Sequence, residues 1–460
     1  MMKLIRAIVL LFVILLFTTC KKEFDTPIYT QGTADFTNYI AVGNSLTQGY
    51  QNGGVYEEGQ RNSYPSIIAR QMKLVQPAMN EFVQPYFFGT GSGYIHLEWK
   101  NSTIQVVKPE DSGGYKEDPS FENISYVGQP LSNLGVSGIK LIGTCADPAI
   151  VGDNYNCYLL ADNNPYGKRM FDLGQPATPN YYLNDVVKSN PTFFTCWLGA
   201  NDILGYATHG GNVLGISILG TPFYVYGLSD PNEFRKKYDR TLDSLTKNGA
   251  KGVVATIPNV TSIPFFNLIK LEDIKGSDGA LLDIFIKTDN GVRLATDEDR
   301  ILLPVASKLN KFLTDSLYDN GVSVEDSIGN IILVYSPTPY GLGPTNPIKN
   351  NEVLDKDEFV KIAPALAALN AEIKASAAAH NIPVVDMENY LQNFESGFAI
   401  SGVNYSTKYI EGGVFSLDGV HPNARGYAIL ANKFIDAINT YYHSNIPPVN
   451  INKYKGIVFP

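Results

Sequence analysis

The sequence predicts an α/β protein in three layers, with a parallel central sheet covered by helices on both faces. Two observations lead to this fold class. Short, almost wholly apolar runs recur along the chain, for example at 193–198 and 253–257, and runs of this kind are typical of strands buried on both faces. Segments with helical periodicity precede several of these runs. A repeated order of helix and then apolar strand is typical of parallel α/β sheets.

The first half of the chain contains two predicted strands and two predicted helices of the core. An apolar run closed by glycine predicts a strand at 39–43. A helix is predicted over 63–74, because Pro65 suits the first turn of a helix. Further along, a short helix at 181–188 is expected to lead into a buried strand at 192–198.

Two helix–strand units follow in the second half. In the first, Gly249 suits the exit from a helix and a buried strand is predicted at 253–258. In the second, the strand is predicted at 382–386. The stretch between the units contains a predicted helix near 301–317 and an apolar strand at 331–335. Four apolar residues share one face of each helix, namely Phe234, Tyr238, Leu242 and Leu245, and then Ile362, Leu366, Leu369 and Ile373.

The last predicted helix begins at Pro422, a residue that fixes a helix start, and buries a stripe formed by Tyr427, Leu430, Phe434 and Ile438.

Chain length alone would allow two or three domains. However, the stretches with candidate functional residues lie at opposite ends of the chain and must meet in space. We therefore predict one domain over 35–445 with long insertions near 143–178, 203–228 and 261–357, followed by a C-terminal tail at 446–460. Insertions of this kind usually shape access to a site.

Ser45 directly follows the first predicted strand, in the run Gly43-Asn44-Ser45-Leu46. Open α/β sheets place their chemistry at the carboxyl ends of the strands. A serine after a strand is also a common helix cap. Taken alone, Ser45 therefore fits a structural role as well as that of a nucleophile.

Asp418 and His421 stand three residues apart near the C-terminus, on a predicted loop before the last helix. This spacing lets the carboxylate accept the Nδ1 proton of the imidazole, which leaves Nε2 free to face a serine. A serine hydroxyl is too weak an acid to attack unaided and needs such a base. The alternative is a capping aspartate beside an exposed histidine.

Four blocks of the chain resemble, in order, the signature blocks of the SGNH (GDSL-type) serine esterases and lipases. They are residues 39–49, 133–138 (Asn-Leu-Gly-Val-Ser-Gly), 199–202 (Gly-Ala-Asn-Asp) and 418–421 (Asp-Gly-Val-His). The resemblance implies a flavodoxin-like α/β/α sheet, which is the SGNH hydrolase fold. It also implies an enzyme that cleaves carboxylic esters, as an esterase, a lipase or a carbohydrate deacetylase.

The resemblance assigns roles to individual residues. Ser45 would be the nucleophile that carries the acyl group, His421 the base and Asp418 the partner of the base. The oxyanion hole would comprise the backbone N–H groups of Ser45 and Gly138 and the side-chain amide of Asn201. Glycine lets the main chain approach a substrate closely, and an amide is an uncharged donor.

The chain departs from the family pattern at Asn44, where the family usually has aspartate. Asparagine keeps the size and one carbonyl acceptor but loses the charge. No metal or cofactor is required by this chemistry, and no pair of cysteines or histidines has zinc-ligand spacing. The alternative function is a catalytically silent, lipid-anchored binding or structural protein on the same scaffold.

The first residues have the order of an export signal. Lys3 and Arg6 precede an uncharged run at 7–17, which is too short to span a bilayer comfortably. A cysteine closes this order, so that the segment resembles a bacterial lipoprotein signal at 1–19 with lipidation at Cys20. Residues 20–34 would then form a tether to the membrane. This predicts that the protein is anchored in the cell envelope, most simply in the outer membrane, at its periplasmic face or the cell surface.

The composition restricts the classes of partner that the protein is expected to bind. The net charge of −9 and the lack of a basic stripe interleaved with aromatics argue against nucleic acid. A small-molecule, lipid or glycan ester remains as substrate, and the oligomeric state is left open. In an exported protein, Cys145 and Cys157 are reasonable disulfide partners across a polar loop. Cys196 lies in an apolar run and is expected to be a small buried side chain.

Overall fold

Within the part of the chain that the structure describes, the central sheet has five parallel strands. In chain order they are β1 (Tyr39–Gly43), β2 (Asn133–Gly135), β3 (Phe193–Trp197), β4 (Lys251–Ala255) and β5 (Val384–Val385). They lie in the spatial order β2-β1-β3-β4-β5, and every neighbouring pair is parallel. This is the flavodoxin-like order, so the predicted fold class is confirmed.

The structure is a computed structural model, and it describes residues 29–460 with the exception of several segments. The segments outside the description are 119–129, 145–163, 169, 172–173, 176–177, 180, 214, 219–220, 225, 310–322, 326–330, 334–337 and 401.

Among the described residues, eight helices cover the sheet or border its carboxyl edge. They are α1 (Ser45–Gln48), α2 (Tyr64–Val75), α3 (Tyr182–Lys188), α4 (Asn201–Thr208), α5 (Pro231–Thr246), α6 (Ile362–Ala379), α7 (Met387–Gln392) and α8 (Ala424–Tyr442). On one face of the sheet α2 packs against α8. On the other face α5 packs against both α3 and α6. The sheet therefore lies between two helical layers.

The two outer layers are held to the sheet by large buried side chains. Tyr64 of α2 stacks on Phe434 of α8, with ring centroids 4.7 Å apart, and Trp197 of β3 contacts both rings edge-on. All three side chains are fully buried. Burying a side chain of this size stabilises a fold by roughly 1.5–3 kcal/mol, so this cluster fixes α2 and α8 on the face of the sheet below Ser45.

Shorter elements connect the core. Short helices span Glu57–Arg61, Pro165–Lys168, Pro264–Asn267 and Lys356–Phe359, and 3-10 turns span Leu141–Gly143, Val260–Ser262, Leu271–Asp273, Leu303–Ser307, Asn350–Glu352 and Ile451–Lys453. Two-stranded antiparallel pairs join His96–Lys100 to Thr103–Val107, Gly174–Gln175 to Thr178–Pro179, Gly215–Ile218 to Thr221–Tyr224, Phe285–Thr288 to Gly291–Leu294, Arg300–Ile301 to Val353–Leu354, Ser323–Glu325 to Ile331–Leu333, and Phe398–Ile400 to Val403–Tyr405.

Several element boundaries differ from the sequence predictions. The last helix begins at Ala424 and not at Pro422, because the side chain of Asn423 accepts a hydrogen bond from the N–H of Gly426 and caps the helix. Within the described residues, the predicted helix near 301–317 is only the 3-10 turn Leu303–Ser307.

The long insertion between β4 and β5 has a small hydrophobic cluster of its own. Its buried members are Ile284, Ile286, Ile301, Val305, Tyr340, Ile348 and Val353. None of these described residues belongs to the main core cluster. The described residues of the insertion therefore pack around a small core of their own.

The final residues pack along α8. Ile446 and Ile451 are buried, and the side chain of Asn432 exchanges two hydrogen bonds with the backbone of Val449, at 2.8 and 2.9 Å. Among the described helices, none combines the length and the apolar character that crossing a bilayer demands.

Candidate active site

Ser45 lies at the carboxyl edge of the sheet, immediately after β1. The strand ends at Gly43, and Ser45 is the first residue of α1. Gly43 has no room for a side chain, because a Cβ atom there would lie 2.0 Å from Oγ1 of Thr47 and 2.8 Å from the carbonyl oxygen of Trp197. The missing side chain lets the chain turn at once from strand into helix, so that Ser45 faces the edge of the sheet.

Asn44 caps the helix that carries Ser45. Its Oδ1 atom accepts a hydrogen bond from the N–H of Leu46 at 3.1 Å, and the side chain is buried. A neutral amide oxygen can accept this capping hydrogen bond in the same geometry as a carboxylate oxygen. The departure from the usual aspartate thus keeps the contact that shapes the turn.

His421 and Asp418 reach Ser45 from the other end of the chain. Nε2 of His421 lies 2.9 Å from Oγ of Ser45, and Nδ1 of His421 lies 3.1 Å from Oδ2 of Asp418. The structure therefore brings the three predicted side chains together in one line. In this line the carboxylate can accept the Nδ1 proton, which leaves Nε2 to accept from the serine hydroxyl.

Both oxygens of the Asp418 carboxylate accept hydrogen bonds from backbone N–H groups. Oδ1 accepts the N–H groups of Val420 and His421, each at 2.8 Å, and Oδ2 accepts the N–H of Gly53 at 2.9 Å. Burial by itself raises the pKa of Asp418. The imidazole of His421 and these hydrogen bonds outweigh burial and hold the pKa below its usual range, so Asp418 stays charged wherever a histidine titrates.

The loop after α1 holds this pair in place, a role that the sequence analysis did not assign. Besides the bond from Gly53 to Asp418, two bonds involve Asn52. Its side-chain oxygen accepts the N–H of Leu417 at 3.0 Å, and its backbone N–H donates to Oγ of Ser416 at 2.9 Å. The ring of Tyr50 packs against the imidazole of His421 with centroids 4.5 Å apart. The one sign of this role in the sequence was the position of these residues directly after the first block.

The candidate oxyanion donors follow the two strands next to β1. Gly43 pairs in register with Gly135 of β2 and with Trp197 of β3. Gly138 and Asn201 come shortly after these partners, so both lie at the same edge as Ser45. Gly138 is exposed and has φ of +79°, a conformation that suits glycine.

The amide of Asn201 is oriented by the second block. Its Nδ2 atom donates to the carbonyl oxygen of Ile139 at 2.9 Å. An amide nitrogen carries two hydrogens, so it can still donate a second hydrogen bond while the first fixes the side chain. Asn201 also lines the same cavity as Ser45 and His421.

Two further buried side chains tie these blocks together. Oε1 of Gln48 accepts the N–H of Ser137 at 2.8 Å, which links α1 to the loop of Gly138. The carboxylate of Asp202 accepts the N–H of Leu141 at 2.8 Å and the hydroxyl of Ser229 at 2.8 Å.

Burial raises the pKa of Asp202, although the nearby charge of Lys140 and these bonds oppose the rise. Asp202 belongs to the third block, and its hydrogen bonds fix the second block beside it. The sequence analysis gave neither Gln48 nor Asp202 a role, because their partners are far away along the chain.

An apolar cavity of about 60 Å³ opens beside Ser45. Side chains from α4, α7, α8 and the segment after β4 line it. Within the described part of the chain, no cluster of histidine, cysteine, aspartate and glutamate has the arrangement of a metal site.

The structure tests only one of the predictions about cysteines. Cys20, Cys145 and Cys157 lie outside the described residues, so the lipidation and the disulfide stay predictions. Cys196 is fully buried and free, as expected. Burial raises the pKa of its thiol to about 12, which makes it unreactive.

Comparison with solved structures yields distant likenesses. An alpha/beta hydrolase enzyme from the metagenome of Lake Arreo, Spain, is 12% identical, with 88% of this chain and 96% of that chain covered and a TM-score of 0.34. An acetyl xylan esterase is 13% identical, with 87% and 98% covered and a TM-score of 0.32. A lipase/acylhydrolase from Enterococcus faecalis is 10% identical, with 89% and 98% covered and a TM-score of 0.32.

None of the curated proteins compared with this chain matches it. A family model does match, and it covers most of the chain: that of the GDSL-like lipases and acylhydrolases, over residues 39–434. The matched span begins at β1 and ends within α8, so it includes all four blocks described above. The chain therefore belongs to the GDSL-like lipase/acylhydrolase family and is a carboxylic ester hydrolase of the GDSL (SGNH) type.

Proposed function

We propose that this protein cleaves carboxylic esters through an acyl-enzyme formed on Ser45, with His421 and Asp418 completing a catalytic triad. The observation that carries the proposal is the unbroken line from Asp418 to His421 to Ser45, with distances of 3.1 and 2.9 Å. Two such short contacts in sequence are what proton transfer from the serine requires.

The proposed reaction has two steps. Oγ of Ser45 attacks the ester carbonyl while Nε2 of His421 takes the hydroxyl proton and then gives it to the departing alcohol. A water molecule, deprotonated by the same nitrogen, then attacks the acyl-enzyme and releases the acid. The charge of Asp418 stabilises the imidazolium that exists in both steps.

Both steps pass through an anionic tetrahedral intermediate. The backbone N–H groups of Ser45 and Gly138 and the free amide hydrogen of Asn201 are proposed to donate to its oxygen. Donors held rigidly before the reaction need no reorganisation when the charge develops. The bonds of Asn201 to Ile139 and of Gln48 to Ser137 supply that rigidity.

Replacing the nucleophile tests the main proposal. Ser45→Ala should abolish hydrolysis of p-nitrophenyl esters and labelling by a fluorophosphonate, since it removes the attacking oxygen. The exposed Ser396→Ala is the matched control and should behave as wild type. A folded Ser45→Ala protein with near wild-type activity would contradict the role of Ser45 as nucleophile. A wild-type protein with neither hydrolysis nor labelling would instead favour the alternative binding role.

Asn201→Ala tests the oxyanion hole. The loss of a donor that acts mainly in the transition state should lower kcat by roughly 10²–10³ and leave KM little changed. If Asn201 merely joins α4 to Ile139, the variant should instead melt at a lower temperature, with modest and mixed changes in both constants. Steady-state kinetics and thermal melting, with exposed Asn404→Ala as control, distinguish the two roles.

Asp418→Asn tests the charge beside the imidazole. We expect kcat to fall by roughly 10²–10⁴, because an amide can present a donor to Nδ1 and favour the wrong tautomer. The lowered pKa of Asp418 also means that its charge stabilises the fold above the unfolded carboxyl pKa, and that this contribution is lost as pH falls.

The difference in melting temperature between wild type and Asp418→Asn should therefore be present at neutral pH and shrink below about pH 4. The exposed Asp436→Asn is the control for removing one negative charge. Equal melting temperatures at neutral pH would contradict the stabilising role of the carboxylate.

We further propose that the mature protein is anchored in the cell envelope by lipid on Cys20, most simply in the outer membrane. Support comes from the basic, apolar and small-residue order of the first twenty residues. Cys20→Ala should move the esterase activity from the membrane fraction to another compartment or to the uncleaved precursor. Mass spectrometry of the mature N-terminal peptide without acyl groups in the wild type would contradict the proposal.

A further inference from the structure

We propose that Tyr50 is a positioning residue of the reaction, whose aromatic ring stabilises the imidazolium form of His421 and so strengthens the base. The carboxylate of Asp418 and the face of this ring would then share the task of holding the positive charge. The inference rests on the proposed function. It concerns a residue that directly follows the first of the four blocks and lies outside all of them.

The ring of Tyr50 packs directly on the imidazole of His421. The two ring centroids are 4.5 Å apart, and the ring planes are tilted by 40°. A cation within about 6 Å of the centroid of an aromatic ring is attracted by the negative face of the ring, and more strongly where water is excluded. The side chain of His421 is only 13% exposed, so little water screens the attraction. The contact therefore favours the protonated imidazole over the neutral one.

The main chain of Tyr50 is fixed on two sides. Its N–H donates to the carbonyl oxygen of Ser45 at 3.0 Å, and its carbonyl oxygen accepts the hydroxyl of Tyr427 at 2.6 Å. Tyr427 belongs to α8, the helix that follows His421. The ring is thereby held in place relative to both the proposed nucleophile and the proposed base.

The hydroxyl and the ring of Tyr50 also have partners. The hydroxyl donates to the carbonyl oxygen of Gly53 at 2.6 Å, and the N–H of Gly53 donates to Asp418. The ring of Tyr166 meets that of Tyr50 nearly at a right angle, with centroids 5.9 Å apart. Burial, followed by the neighbouring Tyr166 and Asp418, raises the pKa of Tyr50 far above its usual value. The hydroxyl therefore stays a neutral donor.

Tyr50 acts on the base and not on the substrate. His421 lines the apolar cavity beside Ser45, whereas Tyr50 does not. A change in the ring therefore leaves the walls of the cavity in place, and its effect on the reaction passes through the imidazole.

The charged groups around the imidazole are few. Among the described residues that line the cavity or bond to the imidazole of His421, Asp418 is the one charged partner. On α8, the guanidinium of Arg425 donates to the carbonyl oxygen of Tyr454 at 3.2 Å.

Three tyrosines besides Tyr50 interact with the charge of Asp418, namely Tyr56, Tyr409 and Tyr427. Burial raises the pKa of each hydroxyl, so all three stay neutral while a histidine titrates. A pH effect that depends on the ring at position 50 therefore reports on His421.

The pH dependence of kcat/KM for p-nitrophenyl acetate tests the inference. In the wild type kcat/KM should fall on the acid side, because the base becomes protonated. Tyr50→Leu keeps an apolar side chain but removes the ring, so the midpoint of this acid limb should move down by roughly 0.5–1 pH units. The plateau of kcat/KM should fall about three- to tenfold, since the imidazolium also forms in the transition state.

Tyr50→Phe is the matched variant, because it keeps the ring and loses only the hydroxyl bond to Gly53. It should keep the wild-type midpoint. Tyr441→Leu, at an exposed position of α8, is the control for replacing tyrosine by leucine and should keep both midpoint and plateau. If the ring of Tyr50 only fills space, Tyr50→Leu should lower the plateau or the melting temperature without moving the midpoint, and that result would overturn the inference.

A second series keeps the shape of the ring and changes only its charge distribution. Phenylalanine that carries one, two or three fluorine atoms, inserted at position 50 by a suppressor tRNA, has a progressively less negative ring face. The midpoint should then fall stepwise below that of Tyr50→Phe, because the attraction depends on the charge of the ring face. A midpoint that does not respond to fluorination would overturn the inference, even where Tyr50→Leu fails to fold.

These outcomes separate the two proposals. Hydrolysis of no ester by the wild type would remove the proposed function and the role of Tyr50 with it. Hydrolysis that depends on Ser45, combined with an acid limb that neither Tyr50→Leu nor fluorination moves, would overturn the role of Tyr50 alone.

Discussion

The active site depends on one long-range contact, the docking of the loop that carries Asp418 and His421 onto the loop after α1. Ser45 and His421 are 376 residues apart in the chain, so nothing local keeps them together. The N–H of Gly53 binds the Asp418 carboxylate, and Asn52 bonds to the N–H of Leu417 and to the hydroxyl of Ser416. These bonds join the loop after Ser45 to the loop of His421, so short connections fix the distance between the two side chains once α8 packs on the sheet.

A second constraint is the register of the three strands at the centre of the sheet. Gly43 pairs with Gly135 and with Trp197, so the loops that leave β1, β2 and β3 begin at the same height. Buried polar groups then lock the loops to one another, through Gln48 on one side and Asp202 on the other. Polar bonds of this kind are costly to leave unmade in a buried setting, which favours a single arrangement of the site before any substrate binds.

The fold class and the three triad candidates could be predicted from the sequence, because both depend on local patterns. Strands buried on both faces appear as apolar runs, and the four blocks are recognisable by their order. The residues that hold the site together were missed since their partners lie far away, as for Asn52 and Leu417, or Asp202 and Leu141. Boundaries were missed where a side chain competes with a backbone preference: Asn423 caps α8, so the helix begins two residues after the proline that suggested its start. The edge strand β5 has only two residues and follows from its pairing with β4 alone.

The walls of the apolar cavity and the polar groups of the candidate site belong to different parts of the molecule. Ser45 and Asn201 sit at strand ends that the central sheet holds rigidly, whereas Val260, Ile263, Leu391 and Phe394 come from connections outside it. Substitutions in those connections can alter the shape of the cavity without displacing Ser45. On this arrangement, substrate range is free to diverge between descendants of one ancestral enzyme while the reaction itself is inherited intact.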